Sequence, residues 1–253
     1  MLPLGDHNPT RTFPFVNYLL ILANVLAFAW EFLLLSSGGE AWVVPGYGLV
    51  PSRLTSDPLG EAFTVFTSMF MHGGLAHLGG NLVFLYVFGD NVEDAVGHFR
   101  YVLFYLACGI GAALAQVLSG PTSPIPMVGA SGAIAGVLGG YVVLYPRAPI
   151  YVLNPIPLLW LFLGITIMLP AWVVIGYWFG FNVFNLYAVL GLQGQDEVGG
   201  VALFAHVGGF LVGLLSIRAA VSGRTPSPQG RWGSLRPSRK NEGPWTRSPR
   251  SWY

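Results

Sequence analysis

Ser131 and His206 are the two residues of this chain best suited to do chemistry together. A serine hydroxyl is a weak nucleophile until a base takes its proton, and a neutral imidazole takes it without bringing a permanent charge. Both residues sit in apolar stretches of helix length. Ser131 lies near the start of one, within Pro126-Met-Val-Gly129-Ala-Ser131-Gly132-Ala-Ile-Ala-Gly136, and His206 lies early in another. A third stretch carries His77 and Asn81, four residues apart and therefore on one helix face. Attack on an amide creates an oxyanion that preorganised donors must stabilise. A ring N–H of His77, an amide N–H of Asn81 and the backbone N–H of Ser131 are donors of that kind. Each residue also has an ordinary explanation: a lone serine in an apolar helix packs or bonds its own backbone, and a lone asparagine bonds across helices. A histidine inside such a stretch is rarer and more often functional.

No acidic side chain is placed to orient His206, because Asp90, Glu93 and Asp94 fall at the far end of the stretch that begins with His77. The pattern therefore offers a Ser-His dyad rather than a triad. Metal is not expected: His72 and His77 are five apart, about 140° around a helix, and there is no HExxH pattern. Cys108 is the only cysteine, which excludes an intrachain disulfide and a cysteine-based metal site. No cofactor is implied.

The elements that must hold these groups are membrane helices. Hydrophobic residues make up 53% of the 253 and charged residues only 9%, against about 25% charged in a soluble domain. Apolar stretches long enough for a hydrocarbon core of roughly 30 Å fall near 15–35, 76–96, 99–119, 127–146, 157–180 and 199–220. The expected architecture is an all-α, six-transmembrane-helix bundle. The fifth stretch is the weakest, since Pro155, Pro157 and Pro170 interrupt an aromatic-rich run, and a kinked or mobile helix is expected there. The first stretch is too long for a signal-peptide core and reads as an uncleaved span.

The formal net charge of +1 conceals two unlike parts. Residues 1–221 carry five arginines against ten acidic residues, while residues 222–253 carry six arginines and a lysine against one glutamate. The division is thus a short N-terminus (1–14), a six-helix membrane domain (15–221) and a basic tail (222–253). The tail is rich in Pro, Ser, Gly and Arg, and is expected to be disordered. It suits a solvated cytoplasmic segment that touches anionic lipid headgroups; nucleic acid is not an expected partner, because the tail has no folded reading surface. Basic residues are strongly unequal between alternate loops, so the positive-inside rule puts both termini in the cytoplasm and loops 36–75, 120–126 and 181–198 outside.

With that orientation the second, fourth and sixth helices all start at the outer face. His77, Asn81, Ser131 and His206 then share one layer, within about 12 Å of the outer helix ends at 1.5 Å per residue. Gly132, Gly136 and Gly140 recur every fourth residue on the fourth helix, and Gly209 and Gly213 do so on the face of the sixth that carries His206. Small residues so spaced let helix backbones approach closely, which is ordinarily a packing device. Here it is also what a Ser131–His206 hydrogen bond requires.

These residues resemble the rhomboid family of intramembrane serine proteases over roughly residues 15–220. Gly129-Ala130-Ser131-Gly132 is similar to its GxSG motif, His72 through His77 to Asn81 to its HxxxxHxxxN, and Ala205-His206 through Gly209 to Gly213 to its AHxxGxxxG. The resemblance implies Ser131 as nucleophile, His206 as general base and acid, His77 and Asn81 as oxyanion donors, and His72 as a residue ordering the outer loop and water. Gly129, Gly132, Gly209 and Gly213 would support the site. It implies a rhomboid-like six-helix fold, a short fourth helix starting in a wet cavity, and transmembrane protein substrates of a single span cut near their outer boundary. The interrupted fifth helix resembles the family's lateral gate, although Pro170 would also serve as a static kink. Two features depart from the pattern: Ala135 stands where many members have an aromatic residue against the catalytic ring, with Tyr141 a poor substitute, and a Trp-Arg pair of the first outer loop is missing. A bacterial plasma membrane is the expected location. The rival readings are a non-catalytic rhomboid-like binder of membrane helices and a small transporter or channel with His and Asn of an outer cavity as pathway residues. Against the latter, no inverted repeat is apparent and no acidic coupling residue sits at mid-membrane unless Glu31 does so. The sequence says nothing of oligomeric state.

Overall fold

In the computed structural model, residues 1–39, 42–154, 156–191 and 203–230 are described. The beginning of the stretch at 199–220, most of the loop to 198, and the tail beyond residue 230 lie outside the described residues. The chain is mostly helical, with long helices α1 (Phe15–Ser36), α2 (Leu75–Val96), α3 (His98–Ser119), α4 (Ser131–Leu144), α5 (Ala171–Gly191) and α6 (Leu203–Ala220). Three of them, α1, α3 and α6, are long and apolar enough to cross a membrane. This is an integral membrane protein. Four short helical turns between residues 43 and 67 fill the connection from α1 to α2.

The positions of the breaks follow from local chemistry. Gly97, at φ 84°, ends α2 and lets α3 begin at the next residue, a left-handed turn that a side chain would strain. At the start of α1, the Glu93 carboxylate accepts from the backbone N–H of Val16 (3.1 Å) and Asn17 (2.7 Å). A helix start lacks partners for its first N–H groups, and an anion supplies them.

The fold departs from the all-α expectation in one place. Strands β1 (Pro3–Asp6), β2 (Pro149–Leu153) and β3 (Thr166–Pro170) form a small antiparallel sheet in the order β1-β2-β3, with Ile150 opposite Leu169 and Val152 opposite Ile167. The apolar run at 157–180 is therefore not one span. Its first part is helical turns (Pro157–Leu159 and Trp160–Leu163) and β3, and helix α5 starts only after Pro170. Hydropathy cannot separate a buried strand from a helix; the β-branched residues of Ile150-Tyr-Val152 and Thr166-Ile167 favour the strand. Pro170 accordingly stands just before a helix start, where proline is tolerated, and not as a kink within it.

At the centre is α4, whose residues from Gly132 to Tyr141 are all buried. It packs on α6, α3 and α2. Glycines set the spacing: a Cβ on Gly209 would stand 1.9 Å from the carbonyl oxygen of Gly132, and one on Gly213 would stand 1.9 Å from that of Gly136. The two backbones are in contact, with no room for a methyl group. On the α3 side, a Cβ on Gly132 would meet the Ala112 methyl at 2.5 Å.

The end of the molecule away from Ser131 holds the buried acids Asp6, Asp90, Glu93 and Asp94, while Glu31 is buried towards the other end. Besides α1, Glu93 meets Nδ1 of His98 at 2.5 Å. Asp94 accepts from the backbone N–H of Arg11 (3.0 Å) and Thr12 (2.9 Å), from the Thr12 hydroxyl (2.8 Å) and from the Ser227 hydroxyl. The Tyr141 hydroxyl donates to Asp6 at 2.9 Å. Thus the short N-terminus, expected as a bare cytoplasmic segment, contributes a strand and several partners. Residues 222–230 of the basic tail are likewise placed against this end: Arg224 donates to the carbonyl of Ala95 (3.1 Å) and the Gly230 N–H to Asn8 (2.7 Å). Composition averages over the tail, whereas the carbonyls ending α2 and the Asp94 carboxylate are specific acceptors.

Candidate active site

Ser131 is the first residue of α4, and His206 lies in the first turn of α6, 8% exposed. The glycine contact that joins these helices brings Nε2 of His206 to 2.8 Å from the Ser131 hydroxyl. Fourteen residues make α4 about 21 Å long, short of a hydrocarbon core of roughly 30 Å. A helix start leaves backbone N–H groups free of intrahelical partners, so α4 presents donors and the positive end of its dipole beside Ser131.

Just before the serine, Gly129 has φ 123°, reserved in practice for glycine. A Cβ there would fall 2.7 Å from Nε2 of His77, so the His77 ring edge occupies that space and lies beside the serine loop. The Gly73 N–H donates to Nδ1 of His77 at 3.4 Å, a long bond that leaves the proton on Nε2, the nitrogen facing Gly129. One turn further along α2, Asn81 is buried, and its Nδ2 has no acceptor among the described residues. A buried amide donor in that condition is costly unless something else uses it.

His72 precedes α2 instead of continuing its face, so the 140° separation from His77 expected on a single helix does not apply. The two rings meet edge to face at 5.2 Å. The backbone N–H of His72 donates to Glu31 (2.9 Å), and its Nδ1 donates to the Phe70 carbonyl (3.1 Å). Burial, with His77 adding to it, lowers the His72 pKa to about 4, which keeps the ring neutral. Glu31, the one acid that could stand at mid-membrane in the transporter reading, accepts from the segment ahead of α2 and anchors it.

Two side chains at the site come from α5, and the sequence pattern does not single them out. Oδ1 of Asn182 lies 2.6 Å from Nδ1 of His206. Trp178, one turn earlier, packs its ring against the His206 imidazole with centroids 5.4 Å apart. On hydropathy Asn182 falls in the loop expected at 181–198, because the fifth apolar stretch ends near residue 180. Trp178 supplies an aromatic ring against His206 that Ala135 and Tyr141 do not; Tyr141 instead meets Phe88 edge to face and reaches Asp6. The available signal is an asparagine four residues after a tryptophan on an apolar helix.

A narrow recess at Ser131 is lined by Met127, Gly129, Gly132 and Ala205. A larger groove, about 350 Å³, lies between α1 and α2 and is lined by Tyr18, Ile21, Val83 and Tyr86. It is apolar and holds none of these reactive groups, so chemistry, not volume, marks the site.

Residues 59–222 match the family model of the Rhomboid domain, and the chain belongs to the rhomboid family. It is 27% identical over 213 residues to Rhomboid protease AarA of Providencia stuartii, covering 78% of this chain and 69% of that one. Over 138 residues it is 37% identical to Rhomboid protease GluP of Bacillus subtilis (strain 168), covering 53% of this chain and 26% of GluP. Over 70 residues it is 46% identical to Rhomboid-like protein 11, chloroplastic, of Arabidopsis thaliana, covering 28% of this chain and 25% of the relative. The matches to the latter two therefore span about a quarter of those proteins' length.

Proposed function

We propose that this protein is an intramembrane serine endopeptidase that hydrolyses single-span membrane proteins near the outer face of the bilayer. The observation that carries the reading is the 2.8 Å hydrogen bond between Ser131 and His206 at the start of a short helix among membrane helices. Ser131 Oγ attacks the substrate carbonyl while Nε2 of His206 takes its proton. The resulting oxyanion is met by the Ser131 backbone N–H, Nε2–H of His77 and the Asn81 amide. Collapse expels the amine, which leaves with the proton from His206, and water then hydrolyses the acyl-enzyme by the same steps in reverse roles. The substrate must unwind where it is cut, which is tolerated in a wet protein cavity but not in hydrocarbon.

The same reading supplies the rest of the arrangement: six membrane helices, both termini cytoplasmic, a bacterial plasma membrane, and transmembrane proteins as partners. Purified protein in detergent is expected to cleave a fluorogenic single-span reporter and to be labelled at Ser131 by a fluorophosphonate. Ser131→Ala is expected to abolish both; full cleavage by that variant would return the protein to the class of non-cutting membrane-helix binders.

A further inference from the structure

The side-chain amide of Asn182 has two ends, and its surroundings fix which is which. One end lies 2.8 Å from the Trp178 backbone carbonyl, which can only accept, so that end is the Nδ2 donor. The other end is then the oxygen, and it faces Nδ1 of His206 at 2.6 Å. An oxygen without hydrogen can only accept, so Nδ1 of His206 must carry a proton. A neutral imidazole with a proton on Nδ1 has a bare Nε2, the atom 2.8 Å from Ser131 Oγ. The chain of bonds thus runs in one sense, from the Ser131 hydroxyl to His206, from His206 to Asn182, and from Asn182 to the carbonyl of Trp178.

Resting on the proposed protease function, we propose that Asn182 is a positioning residue that holds His206 in the Nδ1–H tautomer with Nε2 aimed at Ser131. An amide that served only its own helix would need just the bond to the carbonyl four residues back; the second bond, across to α6, is the one that does chemistry. Asn182 is 6% exposed, so water does not compete freely for Nδ1. Trp178 packs a tilted ring against the same imidazole while Asn182 holds its Nδ1 edge, and both stand on α5. The base is therefore aligned only while α5 is seated against α6.

The test measures kcat and KM for the single-span reporter, and fluorophosphonate labelling, as functions of pH for the full-length wild type, Asn182→Ala and Asn182→Asp. Absence of Ser131 labelling in the wild type would overturn the protease reading itself, an outcome separable from failure of the Asn182 role alone. With labelling present, Asn182→Ala is expected to lower kcat about tenfold or more, a fraction of the 10²–10⁴ that a general base supplies, with KM changed less than about twofold. Asn182→Asp keeps an acceptor at Nδ1 and is expected to recover most of kcat. Its carboxylate stabilises the imidazolium, so the acid limb of kcat/KM moves to higher pH. Wild-type kcat in Asn182→Ala, or equal losses in Ala and Asp variants with no movement of the acid limb, would overturn the proposal. Should the alanine variant not fold, nitrogen NMR of ¹⁵N-histidine wild type decides: a proton on Nδ1 of His206 supports it, and one on Nε2 overturns it.

Discussion

The two ends of this molecule both bury polar side chains, but they use them differently. At the sheet end, Glu93 and Asp94 are ionisable groups met by several donors each: helix-start N–H groups, hydroxyls and His98. Most of these bonds join segments distant in sequence, so charge is used there to tie α1, α2, the N-terminal segment and residues 222–230 together. At the Ser131 end the groups nearest the serine are a hydroxyl, amides and imidazoles, with the Glu31 carboxylate further off on the His72 N–H. Nδ2 of Asn81 has no partner among the described residues, as some buried polar atoms of the sheet end also lack one. Close backbone packing through Gly132, Gly136, Gly209 and Gly213 holds that end instead. Backbone contact sets how closely α4 and α6 approach there, and the bonds along Ser131, His206 and Asn182 orient the side chains where chemistry is proposed.

If this contrast is right, substitutions at the two ends separate activity from stability. The largest effect is expected from Gly209→Ala, whose methyl would overlap the Gly132 carbonyl. The helices must part by about an ångström or more, costing over about 100-fold in reporter cleavage together with about 1–3 kcal/mol of stability. Asn81→Ala is expected to lower kcat about 100-fold while the melting temperature stays near that of the wild type; an unchanged kcat would make Asn81 a packing residue. Glu93→Gln should do the reverse, losing about 1–3 kcal/mol in thermal unfolding with the labelling rate of the folded fraction preserved. A slower labelling rate in that variant would mean the ends are coupled.

The smallest effect is one of pH. The folded-state pKa of His72, about 4, lies below its ordinary 6.5, so the unfolded chain binds the proton first. The contribution of neutral His72 to stability is complete above pH 6.5 and is lost as the pH falls from 6.5 towards 4. His72→Gln is expected to flatten the decline in melting temperature across that window, and an identical slope would assign the decline to other groups.

How far the sequence foretells this arrangement depends on the signal each residue carries. Ser131, His206 and the glycines are readable because their spacing repeats at helical period on separate apolar stretches. The membrane class follows from composition alone. Asn182 is hidden by a boundary: the apolar residues of β3 read as part of a helix, which moves the fifth span toward the N-terminus and leaves Asn182 in a loop. β1 is hidden for a different reason, since Pro3–Asp6 gains strand character only by pairing with Pro149–Leu153 far along the chain. The link of His72 to Glu31 is equally non-local, joining residues 41 positions apart.

Asn182 has a further consequence through what it is not. Where soluble serine hydrolases commonly set an aspartate behind the imidazole, this chain sets an uncharged carbonyl oxygen. The proposed proton relay therefore rests at zero net charge, which suits a site set among membrane helices. In the proposed mechanism the cost falls on the transient cation: among the described residues, the group hydrogen-bonded to Nδ1 is a dipole and not a charge. Under the proposed mechanism, a weakly stabilised imidazolium is expected to make the chemical step slow.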